Sequence, residues 1–340
     1  MRLPRRAQLI RQMKRRRKVS TLSDESKEMR NLLRPHAYTR VRPSSITELA
    51  EASAGCDVVL IGEVHDDAEA HRLEFELLKQ IHELHGEKRQ IILSLEMFET
   101  DVQVVLDEYM QDLIREADFV SDARAWMNYA DYRGMVEYAK SAGLPVIAAN
   151  APRRYVGLVG KRGSEALEQL PSASHSYLPP IPIAPPSEAY RDKFNHMMRM
   201  LNEPSSADSS APSAGGTSSA PAAECPYIGF SASKTRFMLE AQTLWDASMA
   251  HSISRVTSAT SAGAAKKPLV VHVCGKFHCE NDLGIPEHLA RYSPGLKVLV
   301  AVCAGEGELS LMHEAQVSTM ANFVAISKPA PPSFKVTHPV

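Results

Sequence analysis

Carboxylates, imidazoles and guanidinium groups stand just after apolar runs at four places in this chain. Glu63 and His65 follow Val58-Val59-Leu60-Ile61. Glu96 and Glu99 follow Ile91-Ile92-Leu93-Ser94-Leu95, and Asn150, Arg153 and Arg154 follow Pro145-Val146-Ile147-Ala148-Ala149. His278 follows Leu269-Val270-Val271-His272-Val273. Glutamate and histidine are good ligands for a divalent metal, and a remaining carboxylate can act as general base toward bound water. The same groups with arginine also suit an anionic planar cofactor, held through its centre by a side-chain donor and through its acidic substituents by guanidinium.

Each group also has a plain structural reading. Asp66 with Glu69 three residues on has the spacing of a capping box, so part of Gly62-Glu63-Val64-His65-Asp66-Asp67 can serve only to start a helix. If the first run stays extended to residue 65, Glu63 and His65 share a face and reach one ligand. Glu96, flanked by Leu95 and by Met97-Phe98, is expected to be partly buried and to need a partner or a raised pKa. Arg153 and Arg154 follow Pro152 at a helix start, where the helix dipole disfavours cations, so an anionic partner accounts for them better than helix stability does. His82, Glu83 and His85 read as a solvated helix face. Trp245 and Met249, four apart, read as a core stripe that can also floor a flat ligand. His272, Cys274, His278 and Cys279 lack the paired spacing of a structural zinc site.

These positions need a scaffold that brings strand ends together. Short apolar runs alternate with helical segments at about 67–86, 100–118 and 132–142, the last stopped by Gly143, which predicts βαβ units and a mostly parallel α/β sheet with flanking helices. Further strands are expected at 298–302 and 323–326. In such sheets ligands bind outside the carboxyl ends of the strands, where the polar residues lie. Pro179, Pro180, Pro182, Pro185 and Pro186 interrupt the alternation before helical segments at about 187–202 and 233–254. The expected organisation is a basic tail over 1–35, one α/β domain over 36–330 and a further tail over 331–340. A smaller helical subdomain is inserted at about 165–254, with Ser/Ala/Gly-rich disordered linkers at about 203–224 and 255–267.

Composition narrows the function classes. The 340 residues are 44% apolar and 23% charged, enough for a sizeable core. The net charge of −1 hides nine Lys/Arg and no acid in residues 1–18, leaving 30 basic residues against 40 acidic ones elsewhere. An acidic body argues against nucleic-acid binding by the folded domain, and assigns any polyanion contact to the tail. The basic tail suits an organelle leader, a nuclear or membrane address, or a recruitment segment of a noncatalytic interaction protein. No apolar run is long enough to span a membrane. The five cysteines, odd in number and scattered, favour reduced thiols and an intracellular, cytoplasmic or organellar location. Gly-rich phosphate loops, Gly-x-Ser-x-Gly and His-Glu-x-x-His are absent. Two readings remain open: a metal-dependent hydrolase, and a carrier for an anionic cofactor such as haem.

Val59-Leu60-Ile61-Gly62-Glu63-Val64-His65-Asp66 and Leu95-Glu96-Met97-Phe98-Glu99 resemble the ChaN-like family of haem-binding uptake proteins in the Tiki superfamily. Tyr132-Arg133 through Tyr138-Ala139 and Gly143-Leu144-Pro145-Val146-Ile147-Ala148-Ala149-Asn150-Ala151-Pro152-Arg153-Arg154 are similar to its central block. Gln242, Trp245-Asp246 and Met249-Ala250 are similar to its helical block, and Gly275-Lys276-Phe277-His278 with Asp282 and Gly284-Ile285-Pro286 to its Gly-Asn-Gly-His segment. The similarity spans about 56–165 and 230–326. It implies an α/β core with a smaller helical subdomain, a pocket that holds haem in some members, and homodimers that pair two haems face to face. It also implies metal-dependent hydrolysis in related superfamily members. On this basis haem contacts are expected from His65, Asn150, Arg153, Arg154, Trp245 and His278. In the alternative, Glu63, His65, Glu96 and His278 hold a divalent metal and do the catalysis. The chain departs from the family in lacking a lipoprotein signal and in carrying Lys276-Phe277 where the family has Asn-Gly.

Overall fold

The sheet is wholly parallel, and its strands alternate side chains between two buried faces. The computed structural model describes residues 44–202, 236–259, 266–310 and 314–327. Among them six strands, β1 (Val58–Glu63), β2 (Arg89–Glu99), β3 (Val146–Asn150), β4 (Lys267–Gly275), β5 (Val298–Gly305) and β6 (Phe323–Ser327), pair in the order β3-β2-β4-β1-β5-β6. All five pairings are parallel. The helices are α1 (Ile46–Ala52), α2 (Ala68–His85), α3 (Gln103–Met110), α4 (Glu116–Asp122), α5 (Tyr129–Ala142), α6 (Arg153–Arg162), α7 (Glu188–Asn202), α8 (Met238–Ala259), α9 (Ile285–Tyr292), α10 (Glu306–Ser310) and α11 (Glu314–Met320).

Burial on both faces explains why the strands read as continuous apolar runs. Val59 and Ile61 of β1 join Leu93, Leu95, Val271 and Val273 in a core covered by α1, α2 and α5. Val58 and Leu60 point the other way, with Ile92, Val270 and Val300, onto Met249, Ala250 and Ile253 of α8 and Ile285 and Leu289 of α9. Helix α8 is therefore a sheet-covering helix rather than part of an excursion. It also runs on to Ala259, and β4 begins at Lys267, so both intrude on the linker expected at 255–267. The tails at 1–35 and 331–340 and the segment 203–224 lie outside the described residues, as does Cys225. The other four cysteines are free, three of them buried.

Two local expectations are corrected. Helix α2 is capped by Asp67, whose carboxylate accepts from the N–H of Glu69 and Ala70, so the capping box at Asp66 does not form. The single helix expected at 100–118 is two, α3 and α4, broken at Asp112 with φ of 60°. Reversal there stacks Phe119 on Tyr109, ring centroids 4.5 Å apart, which a continuous helix could not do. It also leaves Gln103 beside edge strand β3, where its side chain donates to the Val146 carbonyl and accepts from the Ala148 N–H. Helix α5 stops as expected at Gly143, in the left-handed conformation. His82 and His85 are less solvated than expected, bonded to the Tyr138 hydroxyl and the Ala50 carbonyl.

Candidate functional site

Strands β2, β4 and β1 are neighbours, so their carboxyl ends bring Glu96, Gly275 to His278, and Glu63 with His65 side by side. Strand β1 ends at Glu63, opposite Gly275 in register. His65 sits in the following turn rather than on an extended strand, yet its Nδ1 meets Glu63 Oε1 at 2.7 Å. The Tyr132 hydroxyl donates to that same oxygen at 2.7 Å. Glu63 is sealed, whereas His65 keeps 18% of its side chain exposed, its ring edge-on to Trp126 with centroids 5.0 Å apart.

The second pair lies on the opposite face. His278 Nδ1 is 2.6 Å from Asp246 Oδ1, and its Nε2 is 3.5 Å from Glu96 Oε1. Glu96 Oε2 accepts the Gly275 N–H at 2.7 Å, and the Tyr190 hydroxyl donates to Asp246 Oδ2. Burial opposes charge on all these groups, but pairing outweighs it. His278 is pushed up to about 10 by Glu96 and Asp246, and Glu96 is pulled down to about 2, chiefly by His278. Glu63 likewise falls to about 2 through His65 and His71. The raised pKa expected for Glu96 is thus corrected: its buried carboxylate has a cationic partner. His272, buried beneath with its Nδ1 2.9 Å from Ser94 Oγ, is pushed down to about 4 by burial.

The arginines form a separate patch at the edge. Arg153 binds Glu99, and Arg154 binds Asp101. Arg124 bridges both acids, at 2.7 and 2.5 Å. The anionic partner that two cations at a helix start require is therefore supplied within the chain. Asn150 is buried; its Oδ1 accepts from the Ala151 N–H, and its Nδ2 has no partner among the described residues. Met249 is a core residue, and the half-buried Trp245 stands edge-on to His278, centroids 6.4 Å apart.

Sequence reasoning named Glu63, His65, Glu96 and His278 but left out Asp246, His71 and Glu74. A signal for the last two was present. On α2 the buried stripe is Ala70, His71, Glu74, Leu77, Leu78 and Ile81, so two ionisable residues occupy core positions at helical spacing. His71 Nδ1 lies 3.0 Å from Glu63 Oε2. Burial disfavours its charge, but Glu63 and Glu74 raise its pKa to about 10. Glu74 is driven well above the ordinary carboxylate range by burial and by Glu63.

Gly284 holds the Asp246–His278 contact by what it lacks. Its φ is +74°, and an added Cβ would stand 2.6 Å from the His278 carbonyl oxygen and 3.0 Å from Asp246 Oδ1. Gly284→Ala is expected to destabilise the protein by roughly 1–3 kcal/mol through strain and displacement of backbone. Urea unfolding measures this, and an unchanged midpoint would contradict it.

A parallel α/β sheet with imidazole–carboxylate pairs at its carboxyl rim defines a protein that takes its ligand at the strand ends. The model of the family described as haem-binding uptake, Tiki superfamily, ChaN, matches residues 49–289, well over half of the chain, and the chain belongs to that family. Its fold is similar to that of ChaN of Campylobacter jejuni, solved for cofacial haem binding. The TM-score is 0.54 at 15% identity, over 83% of this chain and 92% of that one. The type III effector HopBA1 follows with a TM-score of 0.42 at 13% identity, over 86% and 99% of the two chains. The RRSP effector domain of a Vibrio vulnificus MARTX toxin gives 0.34 at 13% identity, over 76% and 36%. No curated protein matches the sequence. Among the described residues no helix is long and apolar enough to cross a membrane.

Proposed function

We propose that this protein binds haem, or a related iron-porphyrin, at the carboxyl rim of the sheet, and handles or transfers it rather than turning it over. The observation that carries the reading is the state of His65. Its Nδ1 is held by a buried carboxylate at 2.7 Å, and its side chain reaches the surface beside an aromatic ring. A carboxylate behind one ring nitrogen fixes the tautomer and raises the basicity of the other, the arrangement that suits an imidazole to iron. Bound haem would supply a redox-active, ligand-binding iron. The chain's own residues would bind and orient it.

The other expected contacts divide by burial. Arg153 and Arg154 keep 55% and 48% of their side chains exposed, so they can share carboxylate substituents with Glu99 and Asp101. That internal pairing moderates their pull on an anion. Trp245 offers an apolar surface at the base. His278, buried with a carboxylate facing each ring nitrogen, acts as a positioning group for the strand ends, not as an iron ligand. The same engagement disfavours a hydrolase that needs His278 and Glu96 as metal donors. Family membership supports haem as the ligand class, and cofacial binding by the Campylobacter jejuni protein supports pairing of two copies through their haems.

Titration with haemin, followed by absorbance, tests the proposal. A saturable Soret shift is expected in the full chain, weakened at least tenfold, about 1.4 kcal/mol, by His65→Ala. His278→Ala is expected to weaken it too, through loss of rim order. Absence of a saturable shift, or a shift indifferent to both substitutions, would overturn it.

A further inference from the structure

Behind the rim, on the α2 face of the sheet, Glu63, His71 and Glu74 meet in a cluster that takes no part in the haem reading beyond Glu63. Their exposures are 1%, 7% and 0%. His71 Nδ1 is 3.0 Å from Glu63 Oε2 and 3.6 Å from Glu74 Oε2, and one ligating atom from each residue lies within 4.8 Å of the other two. Neither contact has hydrogen-bond geometry. Glu63 Oε2, His71 Nδ1 and both oxygens of Glu74 are buried with no hydrogen-bond partner among the described residues. Four such atoms facing one another in a core stripe are costly unless a positive charge sits among them.

The surrounding contacts orient these atoms as ligands. His71 Nε2 is 3.2 Å from the His65 carbonyl oxygen, which can only accept, so Nε2 carries the proton. In the neutral ring Nδ1 then presents a lone pair toward two carboxylates. Glu63 Oε1 is taken by His65 and Tyr132, which leaves Oε2 as its coordinating oxygen. Donors about 2.1 Å from a metal and about 90–110° apart stand roughly 3.0–3.4 Å from each other, close to the separations seen.

We propose that Glu63, His71 and Glu74 bind one divalent transition cation of the Zn2+, Mn2+ or Fe2+ class, at a site distinct from the rim. Two carboxylates and one imidazole match the charge of such an ion, and the mixed oxygen and nitrogen donors favour it over Ca2+ or Mg2+. Three protein ligands leave at least one position for water. The cation would tie α2 to the end of β1 behind His65, with Glu63 shared between cation and imidazole.

The full chain, stripped with chelator and titrated with Co2+, Mn2+ and Zn2+ separately, tests this. About one equivalent is expected to bind. Glu74→Gln, nearly isosteric, is expected to weaken binding more than tenfold, whereas His278→Gln, on the other face of the sheet, keeps it. X-ray absorption of the Co2+ form is expected to show one imidazole among oxygen donors. No saturable binding, or equal binding by Glu74→Gln, would mean that protons alone neutralise the cluster and would overturn the site. Loss on His278→Gln, or two imidazoles in the spectrum, would place the cation between His65 and His278 and overturn it equally. If Glu74→Gln does not fold, the imidazole count in the wild-type protein decides.

Discussion

Glu63→Ala is expected to lower stability by about 3–5 kcal/mol, the range for removing one partner from a buried ionic cluster. One oxygen of Glu63 accepts from both His65 and Tyr132, and the other faces His71. Truncation would strand a phenol and two imidazoles, and leave Glu74 without the cation that both acids share. Glu63→Gln keeps the volume and one acceptor oxygen, so its loss is expected to be smaller. Urea unfolding of the full chain, with an unchanged m-value, measures both. A loss below about 1 kcal/mol for the alanine variant would show that the cluster relaxes and that Glu63 does not organise it.

Stability is expected to peak near pH 6.5 and fall on both sides. His71 and His278 have folded pKa values raised to about 10, so the stability they contribute is complete below the unfolded value near 6.5. It is lost as pH rises toward 10. His272 and His288 have folded values pushed down to about 4 by burial, so their contribution is complete above 6.5 and is lost as pH falls toward 4. Glu63 and Glu96, lowered to about 2, lose theirs as pH drops from about 4.5 through 2. The alkaline limb is on the order of a few kcal/mol. Denaturation midpoints between pH 3 and 10, measured with chelator present, should trace this dome, and His278→Gln should flatten its alkaline side. A midpoint constant from pH 6.5 to 10 would mean that the two imidazoles are not held charged by their carboxylates.

Much of the scaffold was legible because its causes are local. Apolar runs at 58–61, 91–95, 145–149 and 269–273 became adjacent strands of a sheet buried on both faces, and the helix stop at Gly143 and the helix at 187–202 follow the written signals. The polar residues placed after these runs do gather at one rim, since parallel strands must end on the same side. The break at Asp112 was not legible: it answers to a ring stack between Tyr109 and Phe119, and no periodicity reports a contact between two separate turns.

The chain order of strands and polar residues by itself determined an α/β sheet with an acidic and imidazole-rich carboxyl edge, because strand period and helix capping act over a few residues. Only the tertiary structure decided who partners whom. Glu63 meets Tyr132 across 69 positions, and His278 meets Asp246 across 32. Arg153 and Arg154, which from their place at a helix start wanted an anion, found Glu99 and Asp101 within the chain. Sheet order sets β4 between β2 and β1, and the alternating pleat then sends Glu63 to the face of α2 and Glu96 to that of α8. Ionic pairing is short-ranged in space and indifferent to separation along the chain, so spacing alone could name the charged groups but not match them.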